Sequence, residues 1–488
     1  MTEADTYQPP ERPIPTYPFL LAVIVIVTAL AGILSRPTGI LAAFWPANPV
    51  IMGLLIRFPR WNTSAGWLAI FLSFLAADFF TGSPWDKTLY LTLGNLVAIG
   101  AGVTLYSVLS AADKQLRRPS AVIALFVICI GMATAAGLTG IVINPILFEP
   151  EAPLLAAMRQ GFELWFTSEI INSVAILPCL LTLPAIPSQP VATLKDKLHR
   201  HRRTDKNVLL PVLALGVSMA LGLLIGGPGA ITFPLPALLW CALTYQMFTT
   251  TLITLIYAIS TLLAVSLGSL DLRVAMSEPV LVSLRLGITL ITLAPTAVAS
   301  AVRYRDELLK ELEYVASHDD LTSILNRSTF LRHARSLMNI ARQEDRPVGI
   351  LMLDIDRFKN INDHYGHETG HHVLIAFCHS IRRYLRQHDL FARIGGEEFA
   401  IVLPDTDTAD AQATAERLRH LVETTEIPIK DHPPLHMTVS IGGTVTQRHN
   451  IAIEQVLVHT DKALYRAKNL GRNRVEWVDL PTGDDATS

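Results

Sequence analysis

Gly395-Gly396-Glu397-Glu398-Phe399 lies between two short apolar runs, Phe391-Ala392-Arg393-Ile394 and Phe399-Ala400-Ile401-Val402-Leu403. Apolar runs on either side of paired glycines and acids predict a β-hairpin, with the glycines supplying the positive φ of a tight turn. The bend then holds two carboxylates side by side, which suits a hard cation, and residues without a Cβ let a phosphate-bearing ligand come close. An acidic hairpin turn is also a common solvated surface feature. Upstream, Val348-Gly349-Ile350-Leu351-Met352-Leu353-Asp354-Ile355-Asp356 predicts a buried strand whose acids emerge where it ends. Ligands of sheet-and-helix domains collect at such strand ends. If this strand lies beside the hairpin, Asp354 and Glu397 converge on one Mg²⁺; otherwise the Asp-x-Asp is a solvated pair.

The rest of the chain has a different composition. Its 488 residues are 50% hydrophobic and only 17% charged, too many for one ordinary domain and too apolar for a wholly soluble one. The apolar excess sits in 17–302, as successive stretches of about twenty residues, the length that crosses a ~30 Å hydrocarbon core. Residues 303–488 have ordinary soluble composition. The expected fold class is therefore a polytopic α-helical membrane domain followed by an α+β cytoplasmic domain. Spans are predicted near 17–36, 39–58, 62–82, 89–111, 122–143, 162–186, 208–227, 230–247, 249–268 and 280–302. Pro46 and Pro49 predict a broken second helix, tolerated at membrane depth only where protein or a cavity satisfies the freed backbone. Arg57 and Arg60; Lys114, Arg117 and Arg118; the run 195–206 with Lys197, Arg200, Arg202 and Arg203; and Arg303 and Arg305 all follow even-numbered spans. The positive-inside rule then sets both termini in the cytoplasm, and an odd number of spans would break that reading. No cleavable leader is expected, because the Pro-rich start lacks a basic n-region. Cys129, Cys179, Cys241 and Cys378 are scattered and read as small apolar core residues. A net charge of −2 gives no reason to expect a nucleic-acid polymer as partner.

Six blocks of the soluble half occur in the order of a known family. They are Leu321-Thr322-Ser323-Ile324-Leu325-Asn326-Arg327; Asp354-Ile355-Asp356-Arg357-Phe358-Lys359-Asn360-Ile361-Asn362-Asp363; Tyr365-Gly366-His367; Gly395 to Phe399; Val439-Ser440-Ile441-Gly442; and Ala463-Leu464-Tyr465-Arg466-Ala467-Lys468 followed by Gly471-Arg472-Asn473. In these blocks the chain resembles the diguanylate cyclase (GGDEF domain) family. The resemblance implies a nucleotidyl-cyclase and polymerase-palm fold, a central antiparallel sheet flanked by helices, and the condensation of two GTP into cyclic di-GMP and pyrophosphate. It further implies that Asp354, the Ile355 carbonyl and Glu397 hold Mg²⁺, or Mn²⁺ in its place. Glu397 or Glu398 assists hydroxyl deprotonation, and Asn362 reads guanine with Lys359 and His367 nearby. Lys468 and Arg472, read as four apart on one face of a helix end, grip the terminal phosphates. One GTP per domain makes a homodimer part of the reaction. Arg386 and Asp389 stand at the spacing of the family's inhibitory product site, where Arg suits guanine O6 and N7 and Asp its N1 and N2.

Two departures bear on these expectations. The family continues Gly-His-x-x-Gly with Asp, whereas His371 stands here, and a neutral imidazole offers one acceptor and one donor. Guanine selectivity is then weakened and a mixed purine product becomes conceivable. Ser323 and Ser328 replace the usual Gly and Arg, both expected in the leading helix. In the membrane half, Phe44-Trp45-Pro46-Ala47-Asn48 and Glu163-Leu164-Trp165-Phe166 resemble the membrane-associated sensor family MASE type 1. Asp78, Asn95, Glu169, Asn172 and Arg285 fall inside spans, where ionisable groups mark a ligand pocket, an ion path or an internal pair. Asp78, Glu169 and Arg285 are the candidates for a signal cavity, a polar pair serving packing being the alternative. In 302–317 the charged flanks around Leu308, Leu312 and Val315 suit a parallel coiled coil continuing the last span, or a single amphipathic helix. The expected domains are a tail 1–16, a lipid-embedded sensor 17–302, a helical linker 303–316, the catalytic domain 317–480 and a polar tail 481–488, in a bacterial inner membrane. Two other classes remain on these residues, a nucleotide-binding receptor without turnover and a transporter.

Overall fold

The computed structural model describes residues 16–35, 44–110, 113–116, 118–184, 206–274, 277–429, 433–446 and 451–480. Arg117, most of the basic run 195–206, the leader and the polar tail lie outside the described residues. The chain divides into two compact units, Met1–Glu307 and Leu308–Ser488.

The first unit is helical. Each predicted span meets an apolar helix, and among the described residues six helices are long and apolar enough to cross a membrane: Tyr17–Leu34, Trp85–Ser107, Pro119–Leu147, Leu154–Thr182, Met247–Ser266 and Glu278–Ser317. Ala47–Arg57, Ser64–Phe80, Leu210–Ile225 and Ala230–Thr244 are shorter apolar segments. In the second predicted span the helix starts only at Ala47, after Pro46. The Trp45 N–H just before it donates to Asn172 Oδ1 at 3.2 Å, so a backbone donor freed at the break is satisfied inside the bundle. The four cysteines are free and buried. The last span and the linker form one 40-residue helix, Glu278–Ser317, on which Leu308, Leu312 and Val315 are exposed.

The second unit is built on a six-stranded sheet, β1 (Leu325–Asn326), β2 (Val348–Ile355), β3 (Leu390–Arg393), β4 (Glu398–Pro404), β7 (Val439–Thr446) and β8 (Val475–Trp477), in the order β1-β3-β4-β2-β7-β8. β5 (Glu426–Ile427) and β6 (Leu435–His436) form a separate pair. The centre is antiparallel, as expected, and the edge strands β1 and β8 are parallel to their neighbours. Every residue of β2 is buried, because both faces of the sheet are covered. Leu351, Leu353 and Ile355 pack with Phe377, Phe399 and Leu418 on one face, while Val348 and Ile350 pack with Phe330, Ala334 and Val456 on the other. That two-sided burial is why the strand reads as an unbroken apolar run rather than an alternation. It also fixes register, since a slip of one residue would exchange the two faces.

Candidate active site

The hairpin β3–β4 forms where the sequence predicts it, with Arg393 opposite Phe399, and its turn corrects one expectation. Neither Gly395 nor Gly396 adopts a positive φ. The bend is held instead by Arg393, whose Nε donates to the Gly395 and Gly396 carbonyls at 3.2 and 3.0 Å and whose Nη2 donates to Gly396 at 2.6 Å. A Cβ at Gly395 would lie 2.7 Å from Glu398 Oε2, so glycine there makes room for the carboxylate. The same guanidinium reaches Asp319 at 3.1 Å. Burial pushes the Asp319 carboxyl up, but its bonds from Thr322 and Arg393 outweigh that and hold it below its usual value. The sequence signal for this clamp is an Arg two residues before the Gly-Gly, separated from it by Ile394.

The register of β2 against β4 sets Asp354 directly opposite Glu398, and the Ile355 N–H donates to the Glu397 carbonyl at 3.3 Å. The two acidic segments are therefore adjacent, as the paired motifs predicted. Lys468 Nζ sits 2.7 Å from Asp354 Oδ2, and Asp354 is only 4% exposed. Burial pushes the Asp354 carboxyl up to about 6, the Lys468 ammonium partly offsetting it and Glu397 and Glu398 adding to it. Glu397 is raised for the same reasons, burial first, with Lys468 opposing. An all-oxygen donor set with one lysine against three acids suits a hard divalent cation. Among the described residues no group of three or more His, Cys, Asp or Glu is arranged to hold a metal alone. A cation here must complete its shell with ligand oxygens, the habit of Mg²⁺ on nucleotide phosphates.

Lys468 ends the helix Ile453–Asn469, but Arg472 does not share its face. The chain leaves the helix through Gly471, Arg472 and Asn473, all at positive φ of 120°, 66° and 46°, so the four-residue spacing is not a helical one. Asp356 holds this turn. It does not join Asp354 as a ligand; it accepts from Ser440 Oγ at 2.6 Å, Thr438 Oγ1 at 2.7 Å and the Asn473 N–H at 3.0 Å. The Asn473 side chain is gripped in turn by Glu423 and Arg419. Asp356 and Arg472 line a cavity of about 700 Å³ with Arg357, Asn360, His364 and Thr438. Asp354, Glu397 and Lys468 lie outside that lining, so the carboxylate cluster and not the cavity marks the chemistry.

Asn362 lies on the helix Phe358–Tyr365 against Gly370 of the following helix, His367–Arg382. Any side chain at 370 would collide with its amide oxygen. His371 follows Gly370, and His371, His367 and Lys359 are exposed. Arg386 and Asp389 form a turn just before β3, with Asp389 Oδ2 accepting the Arg386 N–H at 2.7 Å. Ser323 is not helical; it sits in the turn before β1 with φ 56°, whereas Ser328 does enter a helix, Arg327–Glu344.

In the helical first unit Asp78 and Glu169 line one cavity. Arg285 is absent from its lining and donates instead to the Leu164 carbonyl at 3.3 Å. Trp45 Nε1 donates to Asn95 Oδ1 at 3.2 Å and Asn48 Nδ2 to Glu169 Oε2 at 2.8 Å. The motif 44–48 thus engages Asn95, Glu169 and Asn172.

Residues 316–474 match the family described as Diguanylate cyclase, GGDEF domain. The chain is 32% identical over 449 residues to Probable diguanylate cyclase DgcF of Escherichia coli O157:H7, covering 89% of this chain and 89% of that protein. It is 35% identical over 320 residues to the protein of the same name in Escherichia coli strain K12, covering 64% of this chain and 95% of the other. Among solved structures, the coiled coil and GGDEF domain of DgcB from Caulobacter crescentus in complex with c-di-GMP is similar at 29% identity and a TM-score of 0.35, over 36% of this chain and 93% of that one. Similarity that covers 89% of this chain and of the relative, with the acidic strand and hairpin falling inside the matched domain, means that this chain belongs to the diguanylate cyclase family.

Proposed function

We propose that this chain is an integral protein of a bacterial inner membrane that condenses two GTP into cyclic di-GMP and pyrophosphate on its cytoplasmic side, under control of a signal at the membrane unit. The observation that carries the chemistry is the pairing of Asp354 with Glu398 across β2 and β4, backed by the Ile355–Glu397 backbone bond. Asp354, the Ile355 carbonyl and Glu397 hold the metal. Mg²⁺, when bound, neutralises charge on the triphosphate and on the departing pyrophosphate. Lys468 and Arg472 bind the terminal phosphates, so Lys468 leaves Asp354 for the nucleotide when substrate arrives. Glu397 or Glu398 takes the proton of a 3′-hydroxyl as its oxygen attacks the α-phosphorus of the second GTP. Glu397 is suited to that task because burial, with the Glu398 charge adding to it, favours its gaining a proton.

Each domain contributes one GTP, so turnover takes place in an antiparallel homodimer, which positions both nucleophiles at once. Asn362 reads the guanine edge with His371, His367 and Lys359 beside it, and His371 supplies one acceptor where an Asp would supply two. Arg386 and Asp389 bind the product and lower turnover. Basic loops following even-numbered spans support cytoplasmic termini, and the continuous helix Glu278–Ser317 supports transmission from the last span through the linker. The test is to supply the full-length chain in lipid with GTP or ATP and Mg²⁺ and to analyse the products by mass. Cyclic di-GMP with two pyrophosphates per product is expected; nucleotide bound but unconverted would replace the enzyme reading with the receptor one.

A further inference from the structure

The turn that presents Glu397 is a pair of glycines, the residue type with the most backbone freedom to lose. Packing does not restrain it at Gly396, where an added Cβ would meet nothing within 4 Å. Its restraint is polar. Arg393 forks Nε and Nη2 onto the Gly395 and Gly396 carbonyls, and the next residue, Glu397, accepts the Ile355 N–H on its own carbonyl at 3.3 Å. The guanidinium is held in turn from behind, since Nη1 reaches Asp319 Oδ1 at 3.1 Å and Oδ2 at 3.3 Å. The Arg393 and Asp319 side chains are only 16% and 24% exposed, so water screens this ion pair less than one on an open surface.

Asp319 is itself fixed, just past the end of the 40-residue helix Glu278–Ser317. Its N–H donates to the Ile324 carbonyl at 2.8 Å, and its Oδ1 accepts the Thr322 N–H and hydroxyl at 2.9 and 2.7 Å. Asn326 Nδ2 donates to the Ala316 carbonyl at 2.7 Å, and Asn326 is the β1 residue paired with Arg393 of β3. The end of the long helix, β1 and the glycine turn are therefore one hydrogen-bonded block. The geometry points to Arg393 as the positioning residue of the metal ligand Glu397, with Asp319 setting Arg393 from the end of the linker helix. While the pair is intact the turn keeps one bend and the Glu397 carboxylate stays in place for the ion. Once it is broken, the two glycines relax and the carboxylate moves off. This deepens the cyclase reading and rests on it for the role of Glu397.

The test compares the full-length wild type with Asp319→Asn, Arg393→Lys and Thr322→Val in lipid nanodiscs. Mn²⁺ affinity is read by EPR with a non-hydrolysable GTP analogue bound, turnover by cyclic di-GMP formation at saturating Mg²⁺, and folding by urea melts. Asp319→Asn keeps an amide oxygen for Thr322 but loses the charge and turns an NH₂ toward Arg393. Arg393→Lys keeps the charge but cannot fork onto two carbonyls. Each is expected to lower kcat and Mn²⁺ affinity about tenfold, as the loss of one charge-assisted bond does. KM for GTP should stay within about twofold, because the base and phosphate contacts are untouched. The double variant should lose little more than either single one. Thr322→Val removes a bond to the same carboxylate without touching Arg393, so it should lower the urea midpoint and leave kcat and Mn²⁺ affinity unchanged. Wild-type kcat and Mn²⁺ affinity in folded Asp319→Asn or Arg393→Lys overturns the assignment. So does a rise in KM that accounts for the whole loss, or an equal loss in Thr322→Val. A wild type that binds Mn²⁺ and nucleotide but forms no cyclic di-GMP overturns the cyclase reading instead, and the Mn²⁺ affinities of the variants still decide the positioning.

Discussion

Asp356→Asn is the sharpest perturbation of the catalytic unit, because it changes one atom of a residue that touches neither metal nor phosphate in the proposed mechanism. The wild-type carboxylate, 7% exposed, accepts from Ser440 and Thr438 hydroxyls and the Asn473 N–H. A hydroxyl can rotate to accept from an amide, but a backbone N–H cannot. An amide NH₂ on the Oδ2 side therefore confronts the Asn473 donor, and on the Oδ1 side it makes Ser440 an acceptor and strands the hydroxyl proton that now goes to Asp356. Leaving one enclosed donor unmade costs about 1–3 kcal/mol. The cost falls on a turn that already holds Arg472 and Asn473 at positive φ, so the turn relaxes and Arg472 leaves the phosphates. A loss of that size corresponds to about a 5- to 150-fold fall in kcat/KM, carried mainly by KM for GTP. The domain should stay folded, since about 5–15 kcal/mol is the usual reserve. Cyclic di-GMP formation by the reconstituted full-length chain, with a urea melt as control, gives the readout. Asp356→Asn and Arg472→Ala should be far from additive, because both remove the same grip. Wild-type KM in a folded Asp356→Asn protein, or fully additive losses in the double variant, would refute the reasoning.

Three other outcomes are expected. Asp354, pushed up to about 6 by burial, keeps its proton below that pH, so Mn²⁺ affinity followed by EPR should fall about tenfold per pH unit beneath it and level off above. Because that folded value lies above the usual carboxylate value, the metal-free chain should also lose stability as pH rises through the same window, and metal should restore it. Ser323→Gly should stabilise the chain by about 0.5–1 kcal/mol in urea melts, since left-handed backbone costs a serine about 1–2 kcal/mol and the freer unfolded glycine returns about 0.5–1. His371→Asp should raise the GTP-to-ATP turnover ratio about fivefold or more by giving guanine N1 and N2 two acceptors; an unchanged ratio would remove His371 from the base pocket.

The acidic strand and the hairpin were legible because burial on both faces writes an unbroken apolar run into β2, and paired glycines with acids punctuate β3 and β4. Their adjacency was only conditional in the sequence and is decided by the β2–β4 register. The turn itself was misread, since a Gly-Gly looks like a source of positive φ whereas the bend is held by Arg393 on its carbonyls. Asp354 and Asp356 look alike two residues apart on a strand. Only the neighbouring β7, with Ser440 and the preceding Thr438, assigns Asp356 to the turn and leaves Asp354 for the cation. Spacing likewise suggested one helical face for Lys468 and Arg472, but the helix stops at Asn469, and a left-handed exit through a non-glycine such as Arg472 has no clear sequence mark. In the helical first unit hydropathy marks the helices and not their lengths. The break at Pro46 was visible, whereas the amide and indole partners that tie 44–48 to Asn95, Glu169 and Asn172 depend on packing between distant segments.

The central claim is that one divalent ion is shared by the two acidic segments and a nucleotide triphosphate. It is tested most directly by the anomalous signal of Mn²⁺ in crystals of the chain grown with a non-hydrolysable GTP analogue. The account predicts an ion at about 2.1 Å from carboxylate oxygens of both Asp354 and Glu397, with Lys468 moved from Asp354 onto the phosphates. An ion bound elsewhere, or a nucleotide seated while Lys468 still pairs with Asp354, would contradict it.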